Sequence, residues 1–458
     1  MDTGRLDGAT LERRIAEGDV DTVIVAFTDL QGRLVGKRVT GHFFADHVLQ
    51  EGIEVCNYLL AVDVDMTPLP GYDFANWDQG YGDVLCRPDL ATLRTVPWLE
   101  RTALVLCDVV DTETGEPVDV SPRQMLRRQV DRAAALGYQV HCGSELEFYL
   151  FEDSYAQARA KGFAGLTYHA GYVQDYHVLQ TTRDEYVIRA IRNGMDAAGV
   201  PVEFSKGEAG PGQHEINLRY ADALEMADRH VIYKNGAKEI AGQHGRSLTF
   251  MAKYAMDQCG SSCHIHSSLA AADGGAPLFW SEEEPDRWSP LFRGWLGGLV
   301  RHTRELTWLF APTVNSYKRY QLESWAPTAL AWGSDNRTCG FRVVGRAPAS
   351  LRVETRVPGA DCNPYLAFAA TIAAGLHGIE HHEDPGARFD GNAYDNDLVE
   401  RIPTNIVDAI TELEDSKLVL EAFGPAVHQH LVNTARQEWA AFGAVVTDWE
   451  RRRCFEQF

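Results

Sequence analysis

With 458 residues, 45% hydrophobic and 24% charged, the chain has the composition of a globular protein large enough for more than one core, so two domains are expected. Its formal charge of −22 sets up a field that repels nucleic acid and anionic membrane outside any local basic pocket, leaving a small charged metabolite as the expected partner. No apolar run reaches the roughly 18 residues of a membrane span, and the opening MDTGRLDGATLERRIAEGD has neither signal nor transit character, so a cytoplasmic location is expected.

A short amphipathic helix opens the chain. TVIVAFTDLQGRLVGKRVT then reads as two strands about a turn at Asp29-Leu30-Gln31-Gly32, the start of a small β domain. From Asp63 to Pro97 the chain is rich in Pro, Gly, Asp and Tyr with little periodicity, which predicts a long structured loop of the kind that serves a site. After the strand ALVLCDVVD, Ser121-Pro122 offers an N-cap and a first-turn proline, predicting a helix that runs to Gly137. Strands and helices then alternate, and helices close the chain from Asn363. No repeat, low-complexity tract or Gly/Ser linker interrupts it, so the domains are expected to pack together. Nine scattered cysteines, an odd number, suit reduced buried thiols. Cys259-x3-Cys263-His264-x-His266 is the one metal-like run of cysteine and histidine, but strand alternation puts its histidines and cysteines on opposite faces, which argues against zinc.

Four segments carry chemistry. In HCGSELEFYLFE, Glu145 and Glu147 share one strand face while Leu146 and Phe148 point into the core. Either the pair is solvated or a cation sits between the two carboxylates. Glycines and a proline separate Glu208 from Glu215 in EAGPGQHE, as a tight site loop or an ordinary turn. His264 and His266 of CHIHSSL share a face, as ligands or as hydrogen-bonded core histidines. Arg352, Glu354 and Arg356 of RVETR share another, where an ion-pair ladder is the plain account. Together, five glutamates and a histidine suit two hard divalent ions, Mg2+ or Mn2+, that bridge nucleotide phosphates. Arg319, Arg337, Arg342, Arg352 and Arg356 fall in one segment and offer forks for phosphate or carboxylate. There is no GxxxxGK[ST] loop and no kinase motif set, so a nucleotide must be held another way.

In this order, GSELEFYLF, EAGPGQHEI, CHIHSSL, NSYKRYQLESWAP, DNRTCGFRV and RVETRVPGADCNPYLAFAA resemble the glutamine synthetase family, over residues 15 to 458. The resemblance implies an α+β fold: an N-terminal β-grasp domain over 15–112, then a larger catalytic domain over 118–458 with a curved antiparallel sheet and helices. It implies two or three Mg2+ or Mn2+ ions per site, with Glu147, Glu208 and Glu215 around the ion near glutamate and Glu145, His264 and Glu354 around the ion near the transferred phosphate. Arg319 and Arg356 would bind glutamate's carboxylates beside the Gly260 backbone. Arg337, Arg342 and Arg352 would face the phosphates of ATP, and His266 would lie beside the γ-carboxyl. The implied reaction phosphorylates that carboxyl from ATP and then displaces phosphate with an amine, water being kept out. Sites between subunits of stacked rings, commonly twelve, are also implied.

The chain departs from ammonia-using members of the family at two places. Their small domain carries a DGSS-like loop whose aspartate helps bind ammonium, and here Glu54-Val-Cys-Asn57-Tyr58-Leu59 has Asn57 in that region. Their flap has a glutamate before Ala-Pro, and here Trp325 stands there with Glu323 two residues earlier. An aromatic wall and an uncharged amide suit an amine carrying carbon better than ammonium. The expected acceptor is a short monoamine such as ethanolamine, a polyamine wanting more carboxylates along a groove; Asp63, Asp65, Asp73 and Glu323 could still line an entrance. Within the family this resembles the branch that joins glutamate to polyamines or ethanolamine. Glu323 is the first candidate to take the amine's proton, a solvated flap residue being the plain alternative. Cys259 replaces an asparagine that often touches the α-groups of glutamate, and Tyr394, where some bacterial relatives are adenylylated, is expected to be an unregulated surface tyrosine. Polyamine ligation, ammonia ligation and a catalytically silent ring remain as alternatives, the last opposed by the six retained metal positions.

Overall fold

Local turn chemistry and long-range pairing together build the smaller of two sheets. In the computed structural model, which describes residues 4–273, 275–396 and 398–458, β1 (Thr22–Thr28) and β2 (Leu34–Thr40) form an antiparallel hairpin. At its turn the Asp29 carboxylate accepts hydrogen bonds from the backbone N–H groups of Gln31 (3.1 Å) and Arg33 (2.8 Å), and Gly32 adopts φ 75°. β3 (Ile53–Cys56), β4 (Asp83–Pro88), β5 (Arg94–Thr95) and β6 (Thr102–Asp111) complete the sheet in the order β2-β1-β6-β4-β3, with β5 on β6. β1 and β6 run parallel, Thr22 facing Thr102.

The segment from Asp63 to Pro97, expected as one loop, is without strands only as far as Gly82, with a single 3-10 turn at Trp77–Gln79. Its end supplies β4 and β5, and Val84 and Cys86 turn into the core. The run is too short to announce a strand by itself, and pairing with β6, Val84 opposite Asp111, makes it one.

The larger sheet contains β7 (Tyr138–Phe151), β8 (Val202–Gly207), β9 (Gln213–Leu218), β10 (Ala221–Asp222), β11 (Ser247–Thr249), β12 (Cys263–Ala271), β13 (Trp332–Ser334), β14 (Phe341–Val344) and β15 (Arg352–Thr355). Its order is β13-β14-β15-β12-β7-β9-β8, with β10 and β11 also paired to β7. Every pair is antiparallel except β13 with β14, which is parallel. Helices Pro122–Ala135, Ala223–Gln243 and Pro364–Glu380 pack against one another, and the first two also pack on β7. The expected helix from Pro122 ends at Ala135, and Gly137 follows at φ 86°.

The two sheets share one continuous apolar core. Buried polar contacts fix the junction. Arg123 forks onto Asp228 at 3.0 and 2.9 Å and also reaches Asp89, while the Tyr365 hydroxyl donates to Asp228 at 2.6 Å. Asn363, the N-cap of the helix from Pro364, donates to the carbonyl oxygens of Asp29 and Leu30 in the small sheet's turn. All nine cysteines are free, and among the described residues no helix is long and apolar enough to cross a membrane.

Candidate active site

Register turns the spacing of the chemical segments into a site. β7 buries Leu146 and Phe148 and so presents Glu145 and Glu147 on its other face. On one side β12 sets His264 opposite Glu145; on the other β9 sets Asn217 opposite Glu145 and Glu215 opposite Glu147. Beyond β12, β15 places Glu354 opposite His266, and β14 places Arg342 opposite Glu354. Carboxylates, imidazoles and guanidiniums from distant parts of the chain are thereby gathered on one face.

Two groups of three potential metal ligands result, each with one donor atom per residue and all donors within 4.8 Å: Glu147, Glu208 and Glu215, and Glu145, His264 and Glu354. In the first, Ser262 donates to Glu147 through its backbone N–H (2.8 Å) and its hydroxyl (2.5 Å), and Gln213 adds its amide at 3.2 Å. Lys206 pairs with Glu208 and is the cation closest at hand. Burial, with Glu208 beside it, pushes the Glu147 carboxyl well above the usual range. Burial and the neighbouring Glu145 and Glu208 do the same to Glu215. Three converging carboxylates with one lysine are a site built for added positive charge.

The second group is compensated by the protein itself. His264 Nδ1 lies 3.3 Å from Glu145 and 3.6 Å from Glu354, and His266 Nε2 lies 2.8 Å from Glu145. Arg342 donates to Glu354 at 2.6 Å and Arg356 pairs with its other oxygen. Burial would raise the Glu354 carboxyl, but His264, Arg356 and His266 outweigh it and hold the group at about 2. At neutral pH the guanidiniums carry that effect, because burial, with Arg356 adding to it, pushes the pKa of His264 itself down. His264 is thus a neutral imidazole whose Nε2 is buried without a partner. A neutral imidazole with an orphaned nitrogen, set beside two carboxylates, fits a divalent cation.

Two cavities meet at these groups. One, of about 570 Å³, is lined by both carboxylate groups with Gly260, Arg319, Trp325, Arg337, Arg342 and Arg356. The other, of about 480 Å³, holds His266 and Arg352, with Arg352 Nε donating to His266 Nδ1 at 3.1 Å. Glu145, Phe204 and Asn217 belong to the walls of both. In the first cavity Arg319 and Arg356 each keep a buried Nε–H without an acceptor, as a cradle for an anion would. Gly260 allows this close approach, since a Cβ there would sit 2.3 Å from Cγ of Arg319.

Some expected residues fall elsewhere. Glu323 sits exposed at φ 53° and does not line either cavity, whereas its flap neighbours Ser324 and Trp325 line the first. Asn57, in a single turn after β3, also lies outside both. His266 lies on the second cavity with Arg352, away from Trp325. Tyr394, expected at the surface, is buried with its hydroxyl enclosed, so that hydroxyl is not presented to a modifying enzyme. Sequence reasoning missed Ser262, Gln213 and Lys206, which hold the first carboxylate group, and Asp175, which lines its cavity. Lys206, two residues before Glu208 on a strand, was the one readable signal among them.

Residues 119–454 match the catalytic domain of glutamine synthetase, and the chain belongs to the glutamine synthetase family. Among its relatives is the γ-glutamylethanolamide synthetase of Streptomyces coelicolor, 52% identical over 98% of this chain and 95% of that protein. A glutamate–isopropylamine ligase of a Pseudomonas species is 36% identical over 96% of each chain. A solved structure of GmaS with ADP superimposes with a TM-score of 0.85 at 32% identity, covering 97% of this chain and 99% of that one.

Proposed function

We propose that this protein joins the γ-carboxyl of glutamate to a short organic amine, ethanolamine first, with ATP converted to ADP and phosphate. One observation carries the reading: Glu145 stands in the wall common to two substrate-sized cavities, with a ligand group for a divalent ion extending from it. The second cavity, with Arg352 and His266, takes the nucleotide, and the first takes glutamate and the amine. Likeness to relatives that ligate ethanolamine and isopropylamine supports an amine carrying carbon.

Glu147, Glu208 and Glu215 would hold one divalent ion, and Glu145, His264 and Glu354 another, Mg2+ or Mn2+. Bound there, such ions supply charge neutralisation to the phosphoryl group in transfer. Arg319 and Arg356 would bind glutamate's carboxylates through their unpartnered N–H groups, beside Gly260. Arg337 and Arg342 would stabilise charge where the cavities meet, and Arg352 would hold phosphate from the nucleotide side. His266, hydrogen-bonded between Glu145 and Arg352, orders both at the junction.

An alkylamine arrives protonated and must lose a proton before attack. Glu323 lies outside the cavity, and Asp175 is the lining carboxylate that belongs to neither ligand group, so we assign the proton to Asp175. Trp325 forms the wall for the carbon-bearing amine. Asn57 reaches an acceptor site only from a neighbouring copy, in a ring such as the family's dodecamer.

Phosphate release with Mg2+, ATP and glutamate, with the products followed by mass spectrometry, tests the reading across ethanolamine, putrescine, spermidine and ammonium. A glutamate adduct formed fastest with ethanolamine is the expected result. Faster turnover of a polyamine or of ammonium would overturn the acceptor while keeping the chemistry, and absence of turnover would leave a silent ring.

A further inference from the structure

A third group of potential ligands lies away from both cavities, where helix Pro290–His302 meets helix Pro364–Glu380. Glycine facing glycine lets these helices approach: a Cβ on Gly298 would sit 2.0 Å from the Ala374 carbonyl oxygen and 2.9 Å from Cα of Gly378. The closeness brings His302, the last residue of one helix, against His377 in the last turn of the other, with ring centroids 4.4 Å apart. The chain then turns back and inserts Glu383, whose side chain is 10% exposed.

The three donor atoms form a nearly regular triangle. His302 Nε2 is 3.1 Å from His377 Nδ1 and 3.2 Å from Glu383 Oε1, and the third edge is 3.4 Å. Ligand atoms about 2.0 Å from a tetrahedral zinc ion lie about 3.3 Å from one another. Behind His302, Nδ1 lies 2.6 Å from Glu305, whose second oxygen accepts from the Ser416 hydroxyl at 2.5 Å. That carboxylate–histidine relay is the support metal-bound imidazoles receive. Glu383 Oε2 is buried without a partner, an acceptor left unsatisfied by the protein. The competing cation is Arg301, whose Nε lies 3.2 Å from Glu383 on a side chain 71% exposed.

We propose that His302, His377 and Glu383 bind a zinc ion that clips the two helices together, with water in the fourth position. Two imidazoles and a carboxylate without thiolate form a known zinc donor set. None of the three lines either cavity, so the site is independent of the ligase reading.

The full chain, equilibrated with zinc chloride in excess Mg2+ and then gel-filtered, is assayed for bound metal by mass spectrometry. About one zinc per chain is expected in the wild type and in Glu147→Ala, with at least a roughly tenfold loss in Glu383→Gln. Zinc should raise the Tm of the wild type and not that of Glu383→Gln. His302→Gln gives the same reading by a second route if Glu383→Gln fails to fold. Zinc that stays in both of these variants belongs to the cavity groups and overturns the site. A wild type that retains no zinc overturns it in favour of a protonated His302 held between Glu305 and Glu383.

Discussion

Glu145 and Glu147 stand two residues apart on one strand face, yet their surroundings are opposite. Glu147 joins Glu208 and Glu215 in a group with an excess of buried negative charge, held open by Ser262 and Gln213. Glu145 joins His264 and Glu354 in a group that His266, Arg342 and Arg356 already balance. Hydrogen bonds from His264 and His266 outweigh burial and lower the pKa of Glu145, whereas burial and Glu208 raise that of Glu147. Two ligand groups on one strand face can thus differ in how far the protein itself offsets their charge before an ion is added. Stability and activity should separate along that line.

The largest effect is expected on activity at the uncompensated group. Glu147→Ala should lower amine-dependent phosphate release by about a thousandfold or more, because the ion site loses a ligand and its charge. Circular dichroism should show the fold retained; activity within tenfold of wild type would remove Glu147 from the ion site.

At the compensated group the main cost should fall on stability. Glu354→Gln leaves Arg342 and Arg356 without their shared anion, and about 3 kcal/mol should be lost at neutral pH. The Glu354 carboxyl is held at about 2 in the folded protein, below its unfolded value. Its contribution is therefore present above the ordinary carboxylate pKa and disappears as pH falls toward 2. Urea titration in metal-free buffer should show wild type and variant converging over that window. Glu215→Gln, in the uncompensated group, should cost less than about 1 kcal/mol in the same assay. Equal losses from the two substitutions would erase the contrast.

The smallest effect is expected at the rim. Trp325 is 62% exposed, so Trp325→Glu should leave stability nearly unchanged while raising ammonium use relative to ethanolamine severalfold. An unchanged ratio of kcat/KM values would show that Trp325 does not face the acceptor.

Much of the site was legible because strand alternation is a local rule. The shared faces of Glu145 with Glu147, of His264 with His266, and of Arg352 with Glu354 follow from a period of two, and the structure keeps them. Other residues were not legible because no local rule reaches them. Ser262 meets Glu147 across 115 positions of sequence. β4 becomes a strand only beside β6. Tyr394 reads as a turn tyrosine in NAYDN, and burial among packed neighbours is a property its own segment does not carry. Glu323 is exposed and lies outside the cavity that its neighbours Ser324 and Trp325 line, a difference of one position that no local rule sets.

Residue types and strand alternation set the chemistry available: which residues could bind divalent ions and phosphate, and which strand faces would carry them. How those groups are charged and divided between cavities depends on long-range packing. Register across β15, β12, β7 and β9 sets each carboxylate's neighbours, and in a buried site the neighbours set the energy of a charge. For the same reason the His302 group could appear only in three dimensions, since a close helix crossing, and no sequence motif, brings its three donors together.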